Sequence, residues 1–490
     1  MKKIITIFAL LLSVSLLFGG CTHNGNSVTP TVTQSQNTTN ETSEREEKDS
    51  EFSSTVTAEP EKMDFGIEKE DFSTASAATQ SNAENSSVES SVSSLDGFNS
   101  ESITPSPTLP SNITEGGSYT LSGNQPNGMI TIDAGEQDVH LILQGLTVHN
   151  PNGPALFVKS AAKVKITLAD GTVNNFSDGK EYTIDEESRG NGSIFSRSDL
   201  TINGKGTLTV TGNRKHGIVS KDNLIVTDGQ IQITAANVGL EGKDCVKIGG
   251  GKLNIKAGTD GIRSDNTSDP TKGFISITGG DISISAGNDG IQAQTVLSIQ
   301  QGNLAITAGG GNQNINTSDG SYKGIKAGAQ VLLHGGSLDI NAADDAIRSV
   351  GTIEIFGGKY TLLTKDDGIQ ADLDLFITGG EFIIECDNQT KSNGLHYENN
   401  GKLTNCSLLL IGAKQSTKIF SNTANGYFAI DVGNQKSKTM VTLSDTDEKV
   451  LMSYTPKSSF SYVVACHSKM TKGSPYLLTV GKITQNMVAQ

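Results

Sequence analysis

The chain has 490 residues, of which 55 are glycine and none is tryptophan, and 34% are hydrophobic. Such a composition is typical of short strands and turns rather than of helices. The formal net charge is −15 at pH 7, so the chain lacks the basic surface with which proteins bind nucleic acids. We therefore predict an all-β protein that binds cations or, through cations, acidic polymers, and that has no nucleic-acid partner.

The N-terminus has the pattern of a secretion signal. Two lysines precede the apolar run 4–18, which is shorter than the ~20 residues that span a bilayer, and Gly-Gly-Cys follows the run. This ending resembles the lipidation site of bacterial lipoproteins. We predict that 1–20 is a lipoprotein-type signal peptide and that a lipid on Cys21 anchors the protein to the extracellular face of the cell membrane. The alternative is ordinary signal-peptide cleavage, with Cys21 in this position by chance.

The next segment, residues 21–110, consists mainly of Ser, Thr, Asn, Gln and Glu, with few aliphatic side chains. Such a segment cannot bury enough apolar surface to offset the entropy that is lost when a chain becomes ordered. We predict a disordered linker that holds the folded part of the protein away from the membrane.

A sequence repeat follows the linker. Its clearest units are DDAIRSVGTIEIFGGKYTLL (344–363) and DDGIQADLDLFITGGEFIIEC (366–386), which begin 22 residues apart. Each unit reads as three short strands with a Gly-Gly turn, a pattern and period typical of a parallel β-helix. The inward position of the first strand is aliphatic in successive units: Ile218, Leu240, Ile262, Ile291, Ile325, Ile347, Ile369 and Leu395.

The extent of the repeat predicts the domain organisation. We assign residues 111–420 to a parallel β-helix, a solenoid of about ten coils in which the aliphatic column is buried. Residues 421–490 lose the repeat but keep strand patterns. Because the open end of a solenoid exposes unpaired backbone, we assign these residues to a small C-terminal β cap.

Aspartates recur just before the first strand of the repeat. Equivalent residues of a β-helix stack ~4.8 Å apart, so stacked carboxylates repel one another unless a cation lies among them. Oxygen ligands on turns suit Ca²⁺. We predict Ca²⁺ between coils, with Asp260, Asp289, Asp344, Asp345, Asp366 and Asp367 as candidate ligands, joined by Asp265 and Asp372. The alternative is that each aspartate only forms its own turn, a common role of Asp before Gly.

The outward residue after each inward aliphatic residue forms a second column. Its polar and cationic members are candidates to contact an acidic polysaccharide: Arg263, Gln292, Lys326, Arg348 and Gln370. An ordinary solvated surface is the alternative. Aromatic residues are only 5% of the chain, which argues against a strong stacking platform for neutral glycans, although Phe356 and Phe376 fall one coil apart on another face.

The repeat units with the pattern D-[DN]-[GA]-I resemble the bacterial secreted carbohydrate-binding β-helix family that binds calcium, polygalacturonic acid and cellulose. The stretch SYVVACHSKMTKGSPYLLTVG (461–481) is similar to the C-terminal segment of that family. The resemblance implies a right-handed parallel β-helix, Ca²⁺ at the Asp-containing turns, and binding without catalysis. Lys323 interrupts the aspartate column in this chain.

These observations predict a monomeric, cell-surface lipoprotein that binds acidic and also cellulosic polysaccharide without cleaving it. Two alternatives stay open. One is a Ca²⁺-dependent enzyme resembling pectate lyase, in which Arg263 or Arg348 abstracts a proton from a uronate that Ca²⁺ neutralises. The other is a purely structural adhesin stalk.

Overall fold

The structure is a computed structural model, and it describes residues 58–74, 111–183, 190–314, 320–388 and 392–490. The predicted signal peptide, Cys21 and most of the predicted linker lie outside the described residues. The described part consists mainly of strands and turns, with three short helical segments: the α-helix Lys69–Phe72 and the 3-10 helices Pro60–Lys62 and Lys418–Asn422. No helix within these ranges is long and apolar enough to cross a membrane.

The repeat builds three stacks of parallel strands. Among the described residues, stack 1 contains twelve strands in this order: Asn112–Ile113, Ile130–Asp133, Leu156–Ser160, Gly192–Ser196, His216–Ser220, Leu240–Gly242, Ile262–Ser264, Ile291–Ala293, Ile325–Ala327, Ile347–Ser349, Ile369–Ala371 and Leu395–Tyr397. Neighbouring strands in this order pair in parallel, so residues from successive repeats lie side by side.

Stacks 2 and 3 belong to one continuous sheet, because the long strands Gly117–Gln125 and Val139–Asn150 take part in both. Stack 2 continues with Lys163–Leu168, Asp199–Gly204, Asn223–Val226, Cys245–Ile248, Phe274–Ile277, Val296–Ile299, Gln330–Leu333, Thr352–Ile355, Leu375–Ile377 and Gly401–Leu403. Stack 3 continues with Val173–Asp178, Thr207–Gly212, Gln230–Ala235, Lys252–Ala257, Asp281–Ala286, Asn303–Ala308, Ser337–Ala342, Lys359–Thr364, Glu381–Cys386 and Ser407–Gly412.

The chain passes through the three stacks in turn. In one coil, Ile369–Ala371 belongs to stack 1, Leu375–Ile377 to stack 2 and Glu381–Cys386 to stack 3. Gly380 turns the chain between the last two strands with a φ of 104°, a conformation that other residues rarely adopt. Each strand pairs in parallel with its equivalent in the preceding coil, an arrangement consistent with a parallel β-helix.

The predicted aliphatic column lies inside the three stacks. Its members pair in register from coil to coil, as Ile325, Ile347 and Ile369 do. None of the eight side chains is more than 5% exposed. Alternate residues along each strand point inward, so the column joins similar rows from the other two stacks in one apolar core. The prediction of buried inward positions is confirmed.

The C-terminal residues form antiparallel strands. Phe460–Thr471 pairs along one edge with Ser407–Gly412, the last strand of stack 3, and along its other edge with Asn425–Gln435. Leu409 and Ile411 share an apolar cluster with this region, so it packs against the end of stack 3. A separate antiparallel sheet has the strand order Val450–Tyr454, Val441–Ser444, Pro475–Val480 and Ile483–Val488.

Residues 58–74 correct the linker prediction. The sequence predicts disorder throughout 21–110, whereas this segment packs along the outer face of stack 2, and we call it the docked segment. Met63 is buried against Cys245 and Phe274, and the ring of Phe65 meets that of Phe274 edge-on with centroids 5.1 Å apart. The apolar side chains of the linker are few, but several of them are concentrated here, where stack 2 offers apolar partners.

Polar contacts hold the rest of the docked segment. Asp71 is buried and accepts hydrogen bonds from Lys163 Nζ at 2.5 Å and from Thr201 Oγ1 at 3.1 Å. Lys247 Nζ donates to Asp64 Oδ2 at 2.9 Å. The outward side chains of stack 2 therefore provide partners that the composition of the linker alone does not reveal.

Candidate functional site

Three of the predicted metal ligands meet in the structure. Asp344, Asp345 and Asp366 each place a carboxylate oxygen within 4.8 Å of the others. They come from adjacent coils, because the first two precede the strand Ile347–Ser349 and the third precedes Ile369–Ala371. Asp345 is buried, whereas the other two are half-buried. We call these three residues the acidic cluster.

Like charges crowd the acidic cluster. Burial, and then the charge of Asp344, raise the pKa of Asp345 well above its ordinary value. A divalent cation would relieve this repulsion, and carboxylate oxygens are ligands that Ca²⁺ accepts. The donor set therefore fits Ca²⁺, and Asp344, Asp345 and Asp366 would hold the ion.

A lysine from the preceding coil enters the acidic cluster. Lys323 stands in the aspartate column one coil before Asp345, and it is only 3% exposed. Its Nζ donates a hydrogen bond to Asp344 Oδ2 at 2.9 Å. The chain thus supplies positive charge beside the three carboxylates, and a metal ion bound there would have to share Asp344 with this ammonium group.

The aspartates of the column also form a ladder of hydrogen bonds to the backbone. Oδ1 of Asp367 accepts from the N–H of Asn393, the equivalent residue of the next coil, at 2.6 Å. The same bond links Asp260 to the N–H of Asp289 (3.3 Å), Asp289 to that of Lys323 (2.7 Å), and Asp345 to that of Asp367 (2.9 Å). These bonds join successive coils in register, a role that requires no metal.

The ladder and the acidic cluster share one residue. Asp260, Asp289 and Asp367 make ladder bonds and lie outside the cluster. Asp345 makes a ladder bond and also belongs to the cluster. The second oxygen of Asp367 lies 2.7 Å from His396 Nδ1, and this contact raises the pKa of the histidine. The structure therefore concentrates the metal-binding potential of the column in the acidic cluster.

Arg263, a member of the predicted sugar-binding column, lies in ion pairs. Its Nη2 donates to Glu241 Oε2 at 2.8 Å, and its Nη1 lies 3.4 Å from Asp260 Oδ2. Burial disfavours the charged form of Arg263, but Glu241 and then Asp260 outweigh it and raise the pKa. The neighbouring carboxyl group of Asp265 has a raised pKa, because of burial and then of Glu241. Asp265 thus belongs to the surroundings of Arg263 and not to the acidic cluster.

Arg348 is held in a similar way. It donates two hydrogen bonds to the carboxylate of Asp372, one of them from Nη2 at 2.8 Å. With its amide oriented to satisfy both neighbours, Gln370 accepts from Arg348 Nη1 and donates to Asp345 Oδ2, each at 3.0 Å. Asp372 therefore neutralises Arg348 rather than joining the acidic cluster, and Gln370 connects the polar column to that cluster.

The polar column is less open to solvent than the sequence predicts. Lys326 and Arg348 are only 1% and 6% exposed, while its other three members are half-buried. These two cations therefore offer a glycan little surface, and contact between the column and a sugar stays a prediction. Both are near carboxylates: Arg348 binds Asp372, and the charge of Lys326 opposes the rise that burial causes in the pKa of Asp289.

Sequence reasoning did not select Glu241, although this residue organises one end of the polar column. It is buried, and its Oε1 lies 3.0 Å from Lys221 Nζ while its Oε2 bonds Arg263. Glu241 and Arg263 are partners in the parallel register of stack 1. Opposite charges at equivalent positions of adjacent repeats are the signal that could have identified the pair.

The matched family and one matched relative share the description carbohydrate-binding domain-containing protein. Residues 111–368, more than half of the chain, match the family described as carbohydrate-binding domain-containing protein. A protein of that description from Acetivibrio thermocellus is 40% identical over 126 residues, which are 25% of this chain and 44% of the relative. The chain thus spans less than half of that relative's length.

One solved structure also resembles this chain. It is described as the polysaccharide lyase-like protein from C. thermocellum, in a gadolinium derivative, and is 38% identical. The match covers 47% of this chain and 86% of that one, with a TM-score of 0.41. On the match over 111–368, the chain belongs to the family of carbohydrate-binding domain-containing proteins.

Proposed function

We propose that the protein binds polysaccharide at the cell surface without cleaving it, and that the acidic cluster holds Ca²⁺. The family match over 111–368 carries this proposal, because it supports carbohydrate binding for the region that contains all three members of the cluster. Family membership supports polysaccharide as the ligand class in general. The choice of an acidic polysaccharide rests on the acidic cluster, where a bound cation would bridge this chain to a uronate.

The proposed ligand is an acidic polysaccharide such as polygalacturonate, with cellulosic chains as a further ligand. A chain with a net charge of −15 repels a polyanion unless a cation bridges the two. Asp344 and Asp366 are only half-buried, so an ion bound there has a side towards solvent. Ca²⁺ accepts six to eight oxygen ligands, so a uronate carboxylate can complete its coordination.

Catalysis is the weaker candidate. A lyase needs a base that gives up its own proton at the working pH and then takes one from the substrate. Arg263 is bound by Glu241 and Arg348 by Asp372, and both contacts favour the protonated guanidinium. The ion pairs therefore favour a binding protein over a lyase that uses these arginines.

The remaining parts of the proposal concern architecture and location. We propose a right-handed β-helix of about ten coils whose open end is covered by the antiparallel C-terminal strands, since an uncovered end exposes unpaired backbone. A lipid on Cys21 anchors the protein, as a monomer, to the extracellular face of the membrane. The sequence Gly-Gly-Cys at 19–21 supports this location.

The test is retention of the protein on immobilised polygalacturonate and on cellulose, in calcium and in chelator. Absorbance of the unsaturated sugar product is followed in the same samples. We expect retention on polygalacturonate that chelator weakens, and no increase in absorbance. Asp344→Asn should weaken the calcium-dependent retention, whereas Asp281→Asn, at an exposed position of stack 3, should not.

Each other outcome replaces part of the proposal. An increase in absorbance would identify a lyase. Retention that is identical in calcium and in chelator would remove calcium from the binding site. A protein that is retained on neither polysaccharide would fit a structural stalk.

A further inference from the structure

A column of exposed side chains lies outside the acidic cluster, at the corner between stack 2 and stack 3. Each member directly follows a stack 2 strand. Its backbone N–H donates a hydrogen bond to the carbonyl oxygen of the last residue of the equivalent strand in the preceding coil. We call it the corner column, and its members are Gln300, His334, Phe356 and Thr378. All four are exposed, so the column forms a stripe along successive coils.

Two rings of the corner column stack on each other. The rings of His334 and Phe356 have centroids 4.8 Å apart and planes 10° apart. This distance matches the spacing of neighbouring strands, ~4.8 Å, so the parallel coils themselves hold the rings face to face. Phe356 is nevertheless 44% exposed, and the next member of the column, Thr378, has no ring with which to cover it.

The docked segment covers the same corner on earlier coils but ends before the corner column. A Cβ atom on Gly249 would lie 2.9 Å from Ile67 Cδ1 and 3.0 Å from Phe72 Cζ. Gly249 is the equivalent of the corner residues two coils before Gln300. Among the described residues, the chain therefore covers this corner with apolar side chains on an earlier coil and leaves it open where the aromatic pair lies.

The chemistry of the open stretch suits a sugar ring. One face of a pyranose consists of C–H groups that pack on an aromatic ring, and its hydroxyl groups bond amides and other hydroxyls. Phe356 offers the ring face, Gln300 an amide and Thr378 a hydroxyl group, in successive coils. No member of the column is a carboxylate or a lysine, so the column favours an uncharged glycan over a uronate.

We propose that the corner column is a second binding surface, on which a sugar ring of an uncharged glycan stacks on Phe356. The inference rests on the cellulosic part of the proposed function and names the surface that would bind such a chain. It requires neither Ca²⁺ nor the acidic cluster, so the two sites can be tested separately.

The experiment measures binding of cellohexaose, an uncharged β-linked glucan, by calorimetry in chelator. We compare the wild-type protein with Phe356→Ala, Phe356→Tyr and Leu373→Ala, since Leu373 is another apolar side chain that is 46% exposed. Phe356→Ala should weaken binding about 3- to 10-fold, because an aromatic contact contributes about that factor. Phe356→Tyr should retain the affinity and Leu373→Ala should leave it unchanged. All variants should melt at the wild-type temperature, since the altered side chains are exposed.

The other results would overturn the inference in distinguishable ways. Equal affinity in wild type and Phe356→Ala, or no binding of cellohexaose by a protein that still binds polygalacturonate in calcium, would remove the corner column and leave the acidic site standing. An equal loss in Leu373→Ala would show that the effect is not specific to the ring. A wild-type protein that binds neither probe would overturn both proposals.

Discussion

The ammonium group of Lys323 lies 2.9 Å from Oδ2 of Asp344. Lys323 itself stands in the aspartate column, where the equivalent residues of the coils before and after it are Asp289 and Asp345. A lysine side chain has no acceptor, so it cannot continue the ladder in which each aspartate receives the N–H of the next coil. At this coil the chain therefore replaces one ladder bond with a buried positive charge. That charge lies beside the acidic cluster, where like charges would otherwise repel.

Replacing Lys323 with Met removes the charge and keeps the side-chain length. In chelator we expect the free energy of unfolding to fall by about 3 kcal/mol, because the loss of one partner of a buried ion pair leaves the other uncompensated. Added Ca²⁺ should restore much of this loss. The variant should also bind Ca²⁺ more tightly than wild type, because no ammonium group competes for Asp344. Denaturant unfolding with and without Ca²⁺ measures both effects.

The matched control for this variant is Lys359→Met. Lys359 is exposed, and its ammonium group lies 3.7 Å from Glu381. Exposed pairs contribute about 0–1 kcal/mol, so this variant should unfold like wild type and keep its calcium response. If Lys323→Met bound Ca²⁺ no more tightly than wild type does, the ammonium group would not be a competitor of the metal.

The Asp345→Asn and Asp367→Asn variants distinguish the metal role from the ladder role. An asparagine oxygen can still accept the ladder bond, but the amide carries no charge. Because the folded-state pKa of Asp345 is raised, its ionisation above the unfolded pKa destabilises the fold, and that penalty grows as pH rises towards the folded pKa. In chelator at neutral pH, Asp345→Asn should therefore be at least as stable as wild type.

Calcium should separate the same two variants. Stabilisation by an ion that binds only the folded state follows mass action, so a variant without the site loses the calcium-dependent shift in melting temperature. Asp345→Asn should lose most of that shift, whereas Asp367→Asn should keep most of it because its carboxylate faces Asn393 and His396. Calorimetric melting in calcium and in chelator decides this. Equal shifts in wild type and Asp345→Asn would remove Asp345 from the metal site.

The inward positions could be predicted from the repeat because they depend only on the local sequence pattern. Alternation within a short strand and a recurring Gly-Gly turn are enough to align Ile347 with Ile369, and the structure pairs them in register. The direction of a carboxylate is not local in this sense. Asp345 and Asp367 accept the same bond from the next coil, yet of these two only Asp345 lies within the acidic cluster.

The docked segment could not be predicted from composition. Its contacts join residues far apart in the chain, such as Met63 with Cys245 and Asp71 with Thr201. Each of those partners lies on the outward side of stack 2, where a repeat-based reading expects solvent. The segment has too few apolar side chains to form a core of its own, so its fold depends on a surface that the repeat creates elsewhere.

Removal of the docked segment should expose Cys245. The thiol is 1% exposed beneath Met63, and burial raises its pKa to about 12. A chain that begins at residue 75 should therefore contain one more thiol that reacts with Ellman's reagent under native conditions than a chain that begins at residue 22, because both lack Cys21. The added thiol should disappear in the shortened chain with Cys245→Ser. An unchanged thiol count would mean that the docked segment does not protect this face.

Acid should destabilise the protein through Glu241. Burial opposes its ionisation, but Arg263, His216 and Lys221 outweigh it and lower the pKa to about 2 from an ordinary 4.5. A carboxyl group with a depressed folded-state pKa adds stability above its unfolded pKa, and this stability is lost as pH falls from about 4.5 to 2. At ~1.4 kcal/mol per pKa unit, the contribution is about 3 kcal/mol.

In Glu241→Gln that part of the pH dependence should be absent. The variant should be less stable than wild type at pH 7, and the two stability curves should converge towards pH 2. Urea unfolding between pH 2 and 7 measures the difference, with the exposed Glu381→Gln as the control. Parallel curves for wild type and Glu241→Gln would contradict the role of this ion pair.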